Sequence, residues 1–193
     1  MAEERDALII EASLGEPHRF EEIFDRHYES VRRYAQRTLG PDAGEEVAAQ
    51  AFLEGFTHRD RFDAAYSSAR PWLLGIATNL IRHHARSQRV HWTALARMTV
   101  ERDEEEPAGT ERRDAERRAP AIAAALATLR EDDREAFLLY ALGELAYSEV
   151  AESMGIPEGT VRSKIHRVRR TLRELLVSEE AMTIQYVKRQ DNR

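Results

Sequence analysis

Arg162, Ser163, His166, Arg167, Arg170 and Arg173 recur at the short steps that one side of a helix provides. Cations, a hydroxyl and an imidazole together can bind a polyanion and donate or accept hydrogen bonds at its edges. From Gly159 to Arg173 there are six lysines and arginines and no acid, in a chain of net charge −6. A second acid-free run, Ala64–Val100, holds Arg70, Arg82, Arg86, Arg89 and Arg97. Acids collect elsewhere: five against one arginine in the first 17 residues. Two focused basic faces on an acidic body point to nucleic acid.

Other chemistry finds little support. Cysteine is absent, which removes disulfides and thiolate sites. His83 and His84 are adjacent and point about 100° apart on a helix, so they do not pair on one metal. There is no P-loop, dinucleotide fingerprint, nucleophile elbow or HExxH. Asp132 and Asp133 fit a helix start, and Ser163 has no implied base. We expect no enzyme, no cofactor, no metal and no small-molecule substrate. With no long apolar run and no secretory leader pattern, we expect a cytoplasmic protein without membrane insertion.

Apolar residues recur at helical spacing, with glycine and proline at the breaks, so the fold is expected to be all-α. The stretch 101–118, ERDEEEPAGTERRDAERR, has no large apolar side chain to offset chain ordering. It divides two small helical domains. The expected layout is an acidic segment at 1–17, a domain at 18–95, a flexible linker at 96–120, a domain at 121–177 and a tail at 178–193. The tail is read as frayed or as a regulatory contact.

In the second domain, Asp132 opens a helix in capping-box fashion and Gly143 suits a left-handed turn. Ser148 caps a short helix that ends at Gly155, with Ile156 plugging the turn and Pro157 opening the next helix. There Val161, Ile165, Val168 and Leu172 form an apolar stripe opposite the basic residues. This is a helix-turn-helix whose second helix would enter the DNA major groove. A surface helix also carries arginines for solvation alone, but rarely with this turn chemistry.

The residues also carry a resemblance. AYSEVAESMGIPEGTVRSKIHRVRRTLRELL (146–176) resembles region 4 of bacterial sigma factors of the extracytoplasmic-function (ECF) class. FEEIFDRHYESVRRYAQRTLG (20–40) and RFDAAYSSARPWLLGIATNLIRHHARSQR (61–89) resemble region 2. The resemblance implies a protein that docks on the clamp and flap of core RNA polymerase and directs it to promoter DNA. It implies that Thr160, Arg162, Ser163, His166, Arg167 and Arg170 read the −35 element. It further implies that Asn79, Arg82, His83, Arg86 and Arg89 serve the −10 element, with Asn79 and the loop 86–89 lining a base pocket. An anti-sigma partner is implied as well.

On the 71–86 helix we place Leu73, Ile76, Ala77, Leu80 and His84 inward, and Gly75, Thr78, Asn79, Arg82 and Arg86 on the nucleic-acid side. Trp72 packs in the core or wedges at the duplex fork. The polymerase-docking helix of the family reads like EDLVQEVF, whereas residues 45–52 read EEVAAQAF. Glu45, Glu46 and Gln50 are the docking candidates, with Ala49 and Gln50 departing from the pattern. The acidic N-terminus and linker are expected to discourage unproductive DNA contact. Two alternatives stand: a helix-turn-helix regulator acting without polymerase, and an adaptor that has lost DNA binding.

Overall fold

The structure is a computed structural model that describes residues 5–66, 68–87, 122 and 124–190, with side chains outside 85–87 and 176–190. Every regular element among them is helical. In chain order these are α1 (Asp6–Gly15), a 3-10 turn at Pro17–Phe20, α2 (Glu21–Leu39), α3 (Pro41–Thr57) and a 3-10 turn at Arg59–Arg61. Then come α4 (Arg70–Ser87), α5 (Glu131–Ala141), α6 (Tyr147–Met154) and α7 (Glu158–Gln190). The linker expected at 96–120 lies outside the described residues.

The described residues form two compact units. One takes those of 1–89 with 135–162; the other takes those of 90–134 with 163–193. Packing therefore assigns most of α5 and all of α6 to the first unit, although they lie far along the chain.

In the first unit, α2 and α3 make a hairpin at Gly40, whose φ of 92° suits glycine. A Cβ on Gly44 would strike the Gln36 backbone, so glycine there sets the close crossing of the two helices. Ile23, Val31, Tyr34 and Ala35 from α2 are buried, as are Val47, Ala48, Ala51 and Phe52 from α3 and Leu73, Leu74, Ala77 and Ile81 from α4.

The acidic N-terminus is not a loose arm. Ala7, Ile9, Ile10 and Ser13 of α1 are buried. Asp6 accepts hydrogen bonds from Arg26 (2.9 Å), His27 Nε2 (2.6 Å) and the Ala69 N–H (2.7 Å). Burial pushes the Asp6 carboxyl up, but those bonds outweigh it and hold it well below the usual range. Composition hid the two isoleucines that make this segment part of a core.

The helix-turn-helix forms as read at Gly155, which is left-handed at φ 63°. Its N–H and that of Ile156 close back on Glu152 and Ala151 carbonyls at 3.2 and 3.1 Å. Other turn details differ. The left-handed residue after α5 is Glu144 (φ 55°), not Gly143. Gly143 is needed for space: a Cβ there would lie 2.5 Å from the Leu139 carbonyl oxygen. Ser148 lies inside the first turn of α6, and Glu149 accepts the Ala146 N–H at 2.7 Å in its place. α5 begins at Glu131, so Asp132 and Asp133 lie within its first turn. Pro157 precedes α7, and its carbonyl accepts the Thr160 N–H at 2.9 Å. The backbone of α7 runs on to Gln190, through the segment expected as a tail.

Candidate nucleic-acid interface

The apolar stripe of α7 fixes which side faces out. Val161, Ile165 and Val168 are fully buried and Leu172 is half-buried. Thr160, Arg162, Ser163, His166, Arg167 and Arg170 are all exposed. The sequence-derived face is thus one continuous polar surface.

Its cations are tethered lightly. Arg162 pairs with Glu158 one turn back at 2.9 Å and lies 5.8 Å over the Tyr147 ring. Arg170 lies 4.0 Å from Glu174 with its side chain 61% exposed. Exposed pairs of this kind contribute little and exchange easily for a phosphate.

Asp133 differs. Only 2% exposed, it accepts from Lys164 at 3.1 Å and from Arg167 at 2.5 Å. Burial raises its carboxyl, the two cations lower it further, and the net direction is down. Arg167 keeps half of its side chain in solvent. Asp133 therefore orients the middle of α7 and is more than a helix cap, a role the sequence reading missed.

The α4 candidates divide. Asn79 and His83 are exposed. Arg82 is half-buried and forks onto Glu135: Nε donates to Oε1 at 2.6 Å and Nη2 donates to Oε2. Arg86 lies on the α4 backbone with its side chain outside the described residues, and Arg89 lies outside them altogether. Two expectations are corrected. Thr78 is buried, donating to the Leu74 carbonyl (2.8 Å) and bonded to the Tyr34 hydroxyl (2.9 Å). Gly75 is buried as well, against Ser153. α4 is packed from more than one side, so Gly75 and Thr78 fill space in the packing. Trp72 is half-buried, edge-on to Phe62 with ring centroids 5.3 Å apart, and it lies beside Gly55.

On α3, Glu45, Glu46, Ala49 and Gln50 are exposed on one side, while Val47, Ala48 and Ala51 face the core. Glu45 accepts from the Tyr28 hydroxyl (2.7 Å) and Gln36 Nε2 (3.0 Å). The hydrogen-bonded Glu45 carboxylate, with some burial, pushes the Tyr28 phenol up. Gln50 donates to Glu54 at 3.4 Å. The sequence reading missed the apolar members of this surface. Leu53 is 58% exposed, and Phe24, stacked on Tyr28, is 41% exposed. Leu53 stands three residues beyond Gln50, so helical spacing alone would have found it. Among the described residues no group of three or more His, Asp or Glu side chains could hold a metal ion. No described helix is long and apolar enough to cross a membrane.

Comparison with known proteins agrees with this layout. Residues 23–90 match the family described as Sigma-70 region 2, and residues 120–172 match Sigma-70, region 4. The chain is 30% identical over 167 residues to the ECF RNA polymerase sigma factor SigC of Mycobacterium tuberculosis, covering 86% of this chain and 88% of that one. It is 32% identical over 167 residues to the RNA polymerase sigma factor CarQ of Myxococcus xanthus, covering 84% and 91%. Two solved structures share the fold. CnrH in complex with the cytosolic domain of CnrY gives a TM-score of 0.62 at 23% identity, covering 90% of this chain and 97% of that one. The sigma factor RpoE in complex with the anti-sigma factor NepR, from Bartonella quintana, gives 0.55 at 20% identity, covering 82% and 97%. A stand-alone helix-turn-helix regulator would account for the second family match but not the first. The chain belongs to the ECF class of sigma-70-type RNA polymerase sigma factors and directs transcription initiation through regions 2 and 4.

Proposed function

We propose that the exposed face of α7 reads the −35 element in the major groove, and that α4 with the residues after it captures the −10 element. In the first role we place Thr160, Arg162, Ser163, His166, Arg167 and Arg170. In the second we place Asn79, Arg82, His83, Arg86 and Arg89. One observation carries the reading: all six α7 candidates are exposed while Val161, Ile165 and Val168 opposite them are fully buried. A helix so oriented presents donors and cations to base edges and phosphates.

The α3 surface of Glu45, Glu46 and Gln50, with Leu53 and Phe24 beside it in character, is the proposed contact with the polymerase clamp. A mixed acidic and apolar face suits a protein interface better than a nucleic-acid one. The chain supplies no catalysis, and the polymerase performs nucleotide addition. With a net charge of −6 the isolated chain binds DNA weakly. Docking on polymerase holds both readers at promoter spacing and raises their effective concentration. The related sigma factors solved with partner proteins support an anti-sigma partner here, and the setting is the cytoplasm. Reconstitution with core polymerase and run-off transcription from a promoter library tests the reading. Promoter-selective transcripts are expected, and their absence with every promoter would overturn it.

A further inference from the structure

Asp133 lies in the first turn of α5, yet each of its carboxylate oxygens bonds a cation of α7. Oδ1 accepts from Lys164 Nζ at 3.1 Å and Oδ2 from Arg167 Nη1 at 2.5 Å. All three residues belong to the second compact unit. The Asp133 N–H also bonds the Arg130 carbonyl at 3.1 Å, so backbone and side chain are both held. Arg162 and Arg170 are held differently. They face exposed glutamates of α7 itself, at 2.9 and 4.0 Å. Such partners turn as freely as the arginine, so neither fixes the other's direction.

Arg167 differs again in the edge it leaves open. Asp133 takes Nη1, and among the described residues no hydrogen bond engages Nε or Nη2. Half of the side chain lies in solvent. Nε and Nη2 carry two parallel donors along one side of the planar guanidinium.

We propose that Asp133 is a positioning residue for promoter reading: it grips Arg167 by Nη1 so that the Nε–Nη2 edge meets a guanine of the −35 element. The inference rests on the −35 role proposed for Arg167 and adds the group that directs it. Two parallel donors match guanine O6 and N7, and guanine is the one base that offers two adjacent acceptors in the major groove. A phosphate would also accept both donors, but it would bring its charge beside the Asp133 carboxylate, whereas guanine is neutral. Arg162 and Arg170, with exchangeable partners, suit the phosphates. Ordering a long side chain before DNA arrives removes part of that cost from binding.

The test uses holoenzyme reconstituted with core polymerase and a promoter taken from the run-off library, with its −35 region randomised. Sequencing the bound DNA gives the base preference at every position. Arg167→Ala is expected to lower a guanine preference at one position by about tenfold or more. Asp133→Asn keeps the side-chain shape but removes the charge. It is expected to lower the preference at that same position by about fivefold, with other positions unchanged. The double variant is expected to match Arg167→Ala. A merely structural role for Asp133 would weaken every position alike. A uniform loss, an unchanged profile, a loss at a position that Arg167→Ala does not affect, or a base other than guanine there would overturn the proposal.

A second measurement leaves Asp133 intact. In the isolated full chain, the heteronuclear NOE of each arginine Nε–H reports how far that side chain is ordered. Single alanine substitutions identify the signals. Arg167 is expected to be more ordered than Arg162 and Arg170; equal mobility would overturn the proposal. The wild type keeps the two readings apart. If its holoenzyme selects no −35 sequence, the promoter-reading assignment falls and the proposal with it. If it selects one that Asp133→Asn reproduces unchanged, the proposal alone falls.

Discussion

The two basic faces were equally plain in the sequence, but the folded chain treats them differently. The α7 face is open: its six candidates are exposed and most of their ion pairs are single and solvent-washed. The α4 face is partly covered: Gly75 and Thr78 are buried and Arg82 is tied to Glu135. A run without acids therefore reports where cations lie along the chain and not whether they are available. Availability depends on the acids that long-range packing brings to them.

The largest effect expected is from the one acid that anchors the open face. Asp133→Ala leaves Lys164, whose side chain is 16% exposed, with only its longer 3.7 Å pair to the exposed Asp132, and releases Arg167. Removing one partner of a buried pair typically costs about 3–5 kcal/mol, and the half-exposed Arg167 reduces that to about 2 kcal/mol here. Urea denaturation followed by circular dichroism measures it. A loss near zero would mean that the α7 face needs no internal anchor.

Next comes the covered face. Thr78→Val keeps the side-chain shape but deletes the hydroxyl shared with Tyr34 and the Leu74 carbonyl. The expected cost is about 1 kcal/mol of stability, with DNA binding unchanged. A fall in −10 binding at full stability would return Thr78 to the nucleic-acid side.

The smallest effect is a pH dependence at Glu152. Its carboxyl is raised from 4.5 to about 7 in the folded chain, so the native state holds a proton that the unfolded chain gives up. Stability from this group declines as pH rises from about 4.5 and levels off above about 7. Glu152→Gln is expected to match the wild type near the lower limit and to exceed it increasingly up to the higher one. Thermal melts across that range check this; a constant difference would show that Glu152 does not titrate there.

What was legible in the sequence follows from locality. Gly155 and the stripe of Val161, Ile165 and Val168 depend on backbone sterics and helical period, which a few neighbouring residues determine. Asp133 and Glu135 were not legible as anchors, because their partners stand 31, 34 and 53 residues away. Thr78 misled because a helical wheel sorts polar from apolar, and a buried hydroxyl with two partners violates that sorting at no cost. α1 misled for the opposite reason: five acids in 17 residues masked Ile9 and Ile10, which are 0% and 2% exposed.

That one chain carries two readers with separate duties is tested by a single comparison of Asn79→Ala and Arg170→Ala holoenzymes on the same promoter. Permanganate reactivity of the −10 thymines is followed beside closed-complex footprinting. Arg170→Ala is expected to weaken the closed complex and its dependence on the −35 sequence, by a free energy of about 1–3 kcal/mol. Asn79→Ala is expected to leave the closed complex near normal and to lower thymine reactivity. Identical behaviour of the two variants at both steps would contradict the account.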